Sequence, residues 1–153
     1  MNIFDFVEKK FEGKTDKCGK PYVLHIYRVA KAAKETYFAL LSETEEYEVY
    51  KIALLHDILE DTDTTVDELK TVDNISNNII DAVVTLTRTK EETYNEYIER
   101  VSKNRLATLV KLHDLIDNMD ITRYIDFKDI SISLLERYHK AYKYLIEKLK
   151  PTY

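Results

Sequence analysis

Glycine and proline are scarce in this chain, with two of each in 153 residues. Sheet architectures need frequent turn punctuation, so the scarcity argues against a β-rich fold and favours helices joined by short polar loops. Tryptophan is absent, so any aromatic wall must come from the twelve tyrosines or five phenylalanines. The lone Cys18 cannot close an internal disulfide, which fits a reducing cytoplasm. No apolar run is long enough to span a membrane or to act as a secretory leader, so no membrane association is expected. Basic charge is not in excess either. With a formal net charge of -5, binding to a nucleic acid polymer by counterion release is not expected. A phosphorylated small molecule needs only a local basic pocket and stays open.

What is present is ordinary for a globular protein: 44% hydrophobic and 33% charged residues, enough for one domain over residues 1–153 with a real core. Helical spacing of apolar residues marks segments 2–11, 21–37 (with Pro21 at its start), 44–59, 75–86, 91–102 and 105–119. Thr64 and Thr65, with acidic residues three positions on, predict a short helix after the EDTDT loop. Thr89 with Glu92 marks a start before 91–102, and Ser133 with Glu136 opens a last helix that runs to Lys148 and stops before Pro151. The expectation is a compact all-α bundle of about eight helices. The apolar stripe of the last helix (Leu134, Leu135, Tyr138, Ala141, Tyr142, Leu145, Ile146) suits internal packing or a homo-oligomer contact.

The chemistry concentrates in three of these segments. In ALLHDILEDTDTT (residues 53–65), an apolar helix runs into His56, Asp57, Glu60 and Asp61. Residues three and four apart share a helix face, which groups His56 with Glu60 and Asp57 with Glu60 and Asp61. Unpaired buried charge is costly, and a divalent cation would explain it. His25 sits in an apolar period with Arg28 one turn along. In LVKLHDLIDNMD (residues 109–120), Lys111, Asp114 and Asn118 form a polar stripe on a helix apolar on several sides, with Asp117 beside it. Each feature also has a plain structural explanation: a hydrogen-bonded core histidine, an internal Lys111–Asp114 pair, a solvated helix end.

Taken together, four blocks in this order and spacing resemble the HD-domain metal-dependent phosphohydrolases. The blocks are GKPYVLH with RVA (19–30), ALLHDILEDTDTT, VVTLTR followed by ETYNEYI (83–98), and LVKLHDLIDNMD. The resemblance is greatest to the hydrolase domain of RelA/SpoT-type alarmone enzymes and their small stand-alone relatives. It implies His25, His56, Asp57 and Asp114 as ligands of one divalent ion, Mn²⁺ in most of the family. It further implies Glu60 and Asp61 as the catalytic pair that positions or deprotonates water. Lys17, Arg28, Lys111 and Asn118 are the candidates for meeting substrate, Asn118 by orienting either substrate or an adjoining ligand, with Lys20, Arg88 and Lys90 as further local positive charge. Tyr94 and Tyr97 are candidates for stacking on a base. His113, beside Asp114, is read as incidental.

The implied activity is release of 3′-pyrophosphate from the guanosine alarmone (p)ppGpp, in the cytoplasm. Two departures from the family pattern bear on the substrate. Alarmone hydrolases carry an Arg-Lys pair where this chain has Asp16-Lys17, and they read Arg-Leu-His-Asn where it has Leu115-Ile116-Asp117-Asn118. An HD-type nucleotidase or dinucleotide-cofactor phosphatase, and a non-catalytic metal-stabilised nucleotide sensor, are the alternatives.

Overall fold

The structure, a computed structural model, describes residues 1–37 and 40–149. Among the described residues it is helical throughout, the sole β feature being an isolated bridge between Thr15 and Pro21. The helices are α1 (Ile3–Lys10), α2 (Val23–Tyr37), α3 (Glu43–Leu55), α4 (Ile58–Asp61), α5 (Val66–Leu69), α6 (Asn77–Leu86), α7 (Tyr94–Val101), α8 (Arg105–Met119) and α9 (Ile132–Leu149). Short 3₁₀ turns at Ile121–Arg123 and Phe127–Asp129 lie between α8 and α9. Pro151, expected to end the last helix, lies outside the described residues. No described helix is long and apolar enough to cross a membrane.

Local chemistry sets most boundaries. Asn2, Ser42, Thr65, Ser76, Thr93 and Asn104 each accept a backbone amide from the first turn of the helix that follows. Three starts differ from expectation. The predicted 91–102 helix begins at Tyr94, because Thr93 and Glu96 form the capping box, while Glu92 accepts the Thr89 amide at 2.8 Å and pairs with Arg100 ahead of it. The last helix starts at Ile132, with Ser131 Oγ accepting the Leu134 amide in place of a Ser133 cap. Pro21 sits two residues ahead of α2, in a turn where its carbonyl accepts the Leu24 amide.

A fourth difference matters most. The predicted 44–59 helix breaks at His56 and Asp57 into α3 and α4.

α3 and α8 form the centre. α3 packs against α1, α2, α6 and α8, and α8 also meets α2, α6, α7 and α9. Ile52, Leu54, Leu55, Ile58 and Leu115 are fully enclosed there, the kind of burial that supplies ~1.5–3 kcal/mol per side chain. α3 also buries two charges. Glu48 accepts the Ser76 hydroxyl at 2.8 Å, and Lys51 donates to the Asn74 carbonyl at 2.6 Å. Both contacts pin the 70–76 loop to the core. α9 packs inward on α8 and α7, burying Ala141 and Leu145.

Candidate metal centre

The break between α3 and α4 builds the site. His56 Nδ1 donates to the Ala53 carbonyl at 2.8 Å. Asp57 stands at φ −103°, ψ 0°, in the sparsely occupied bridge region. Helical hydrogen bonding restarts at once, as the Asp57 carbonyl accepts the amides of Glu60 and Asp61 at 3.2 and 2.9 Å. On an unbroken helix the two side chains would diverge by about 100°. Across the break they face one point.

His25 reaches that point from α2 and Asp114 from α8. One ligand atom from each of His25, His56, Asp57 and Asp114 lies within 4.8 Å of all the others. His25 Nε2 is 3.3 Å from His56 Nε2, 3.3 Å from Asp114 Oδ1 and 3.4 Å from Asp57 Oδ2. His56 Nε2 is 3.0 Å from Asp57 Oδ2. Both Nδ1 atoms are engaged elsewhere, so both rings turn Nε2 inward. Two imidazole nitrogens and two carboxylate oxygens make a donor set that fits one divalent ion of borderline to hard character.

The electrostatics agree. Burial disfavours the imidazolium of His25, but Asp114, Asp117 and Asp57 outweigh it and raise its pKa to about 11. His56, also opposed by burial, is raised to about 9 by Asp57 and Asp114. Burial pushes the carboxyls of Asp57 and Asp114 up, yet His56 beside the first and Lys111 beside the second hold both far below the usual range. A cation bound at this cluster would take the place of the imidazole protons.

Glu60 and Asp61 stand at the exposed end of α4. Glu60 Oε2 accepts the Arg88 amide at 3.1 Å. The Tyr22 hydroxyl lies 2.7 Å from Asp57 Oδ2 and 2.9 Å from Asp61 Oδ2, linking the ligand carboxylate to the second acid. Partial burial raises the pKa of both Glu60 and Asp61, the direction that suits proton exchange near neutral pH.

Comparison with known proteins bears on this geometry. No protein-family model matches the chain. A protein of Aquifex aeolicus is 32% identical over 127 residues, covering 78% of this chain and 17% of the relative. One of Danio rerio is 35% identical over 112 residues, covering 71% of this chain and 59% of the relative. Both carry the name guanosine-3′,5′-bis(diphosphate) 3′-pyrophosphohydrolase. The chain is similar in sequence to these two pyrophosphohydrolases. It spans about a sixth of the first and under two thirds of the second. A solved structure of a metazoan ortholog of SpoT, described as hydrolysing ppGpp, superposes with a TM-score of 0.73 at 23% identity. That match covers 98% of this chain and 84% of the other, and it shows the same all-α fold.

The four residues expected to meet substrate occupy different places. Lys111 Nζ is 2.6 Å from Asp114 Oδ2, and Asn118 Nδ2 donates to Asp114 Oδ1 at 2.6 Å. Both therefore hold a candidate ligand. Arg28 turns its guanidinium to Asp117, with Nε 2.7 Å from Oδ1. Lys17 stays exposed at the rim, donating to the Tyr138 hydroxyl at 3.0 Å. Arg88 and Lys90 line a groove of about 440 Å³ beside Glu60, within the size range of small-molecule pockets.

Tyr97 is buried and donates to the Leu86 carbonyl. Tyr94 is half-buried, with the Arg137 guanidinium 4.3 Å from its ring centre. His113 packs edge-on against Tyr37, away from the cluster. Sequence reasoning missed the roles of Tyr22, Asp117 and Arg123, placing Asp117 only beside the polar stripe. The first two sit three residues from His25 and Asp114 respectively, a helical spacing that could have flagged them.

Proposed function

We propose that this chain is a metal-dependent nucleotide phosphohydrolase that releases 3′-pyrophosphate from the guanosine alarmone (p)ppGpp. The observation that carries this reading is the convergence of His25, His56, Asp57 and Asp114 on one point with Glu60 and Asp61 alongside. The names of the sequence relatives support the substrate. These four residues would hold one divalent ion, with Mn²⁺ the metal of this reading. When bound, such an ion lowers the pKa of water and draws charge from a phosphoryl group.

The chain's own groups do the rest. Glu60 and Asp61 orient the attacking water and take its proton. As the new bond from water oxygen to phosphorus forms, the bond from phosphorus to the nucleoside 3′-oxygen breaks, and that oxygen takes up a proton. Asn118 and Lys111 keep Asp114 aimed at the centre. Lys17 at the rim, with Arg88 and Lys90 in the groove beside Glu60, offers positive charge to the remaining phosphates. A nucleotide substrate and the unpaired Cys18 support a cytoplasmic setting.

One observation favours a second reading on the same metal site. Asp16, where alarmone hydrolases carry a positive charge, is paired with Arg123 at 3.1 Å. This favours a nucleotidase or a phosphatase of a dinucleotide cofactor.

The test is release of phosphate and pyrophosphate with Mn²⁺ from ppGpp, GTP, NADPH and a deoxynucleoside monophosphate, with Asp57→Ala as control. Pyrophosphate from ppGpp, lost in the variant, is expected. Turnover of another substrate instead would move the function to the second reading. Metal binding without any turnover would leave a nucleotide sensor.

A further inference from the structure

His25 and His56 are oriented by different means. His56 donates Nδ1–H to a backbone carbonyl of its own helix. His25 has no such carbonyl; its Nδ1 is 2.6 Å from Asp117 Oδ2, a carboxylate on another helix and 92 residues away in sequence. That carboxylate is itself held on several sides. Arg28 contributes Nε to Oδ1 at 2.7 Å and Nη2 to Oδ2 at 3.0 Å. Arg123 Nη2 donates to the Asp117 carbonyl at 2.8 Å and lies 3.6 Å from Oδ2. Arg123 Nη1 in turn reaches Asp16 Oδ2 at 3.1 Å. Asp16 and Asp117 keep only 8% and 10% of their side-chain surface, and the two arginines, with the Cys18 and Lys20 amides on Asp16 Oδ1 at 2.9 Å, offset the burial of these carboxylates.

We infer that Asp117 is the positioning residue for His25: it accepts the Nδ1 proton and so leaves Nε2 as the nitrogen turned toward the cluster, the one that would take a cation. Arg28 and Arg123 fix Asp117 and offset its charge, so the orienting carboxylate does not add an uncompensated anion beside Asp57 and Asp114. A histidine ligand whose far nitrogen donates to a carboxylate is a stronger and better aimed donor. The inference rests on the metal-binding reading of the cluster and is independent of the substrate.

The experiment is Mn²⁺ titration by calorimetry of the parent, Asp117→Ala and Asp117→Asn, alongside a proton–nitrogen imidazole correlation spectrum of the parent loaded with diamagnetic Zn²⁺. Asp117→Ala should weaken Mn²⁺ binding about 10–100-fold. Asp117→Asn, which keeps an acceptor for Nδ1–H, should lose less. The parent spectrum should place the His25 proton on Nδ1. Mn²⁺ affinity equal to the parent in Asp117→Ala, or a His25 proton on Nε2, overturns the inference while sparing the metal site. If the alanine variant does not fold, the parent spectrum and Asp117→Asn decide. A parent that takes up no metal would overturn the metal-binding reading and the inference with it.

Discussion

Lys111→Met removes a buried ammonium and keeps most of the side chain's volume. Lys111 Nζ lies 2.6 Å from Asp114 Oδ2, with 13% and 4% of the two side chains exposed, and 5.2 Å from the Tyr97 ring centre. Burial opposes its charge, but Asp114 holds its pKa well above the ordinary value, so it is an ammonium at neutral pH. In the variant, Asp114 keeps Asn118 as a donor and the two imidazoles nearby, yet loses its closest cation. Breaking a buried pair from one side costs about 3–5 kcal/mol. At ~2–4 °C per kcal/mol for a domain of this size, the melting temperature should fall by roughly 6–20 °C. The assay is urea unfolding followed by circular dichroism, in EDTA and again in Mn²⁺. The loss should be full in EDTA and smaller in Mn²⁺, because a cation at the cluster compensates Asp114 in place of the ammonium. A loss in EDTA of no more than ~1 kcal/mol, the range of an exposed ion pair, would refute the reasoning.

Mn²⁺ at a hundredfold excess over its Kd should stabilise the parent by about 2.7 kcal/mol; thermal melts of Asp57→Ala should show no such gain. Glu60→Gln should lower kcat for pyrophosphate release about 10²–10⁴-fold, while calorimetry finds Mn²⁺ affinity retained; equal loss of metal binding would contradict a role for Glu60 in proton transfer. The Arg100 guanidinium, 2.5 Å from Glu92, lowers the Glu92 pKa from 4.5 to about 2. A depressed folded-state pKa gives stability that is present above 4.5 and lost as pH falls toward 2. Denaturant melts should therefore show Glu92→Gln less stable than the parent at neutral pH, with the gap closing across that acid window.

The sequence alone was enough to mark most of the helices and to nominate the residues of the candidate site. Apolar periodicity and the caps Thr65–Glu68, Ser76 and Asn104 act over three or four residues, so they are legible without tertiary information. The Thr89–Glu92 contact read from the sequence does form, with Glu92 Oε1 accepting the Thr89 amide at 2.8 Å, yet the helix starts only at the Thr93–Glu96 box four residues on, and Glu92 also pairs with Arg100 from the far end of α7. The His56-Asp57 dyad was visible as a motif, but the continuous helix assigned to it was not what orients it. That orientation comes from the break, where the His56 ring takes the Ala53 carbonyl. Arg28 read as a phosphate-binding cation because the sequence shows its charge without its distant partner, whereas the Lys111–Asp114 pair, three residues apart, was legible as an alternative. α2 and α8 come together to bury their apolar faces, and that approach brings Arg28 onto Asp117 across 89 residues of chain and His25 beside Asp114. Which charges meet a ligand and which meet each other is decided by helix packing over distances that local spacing does not encode.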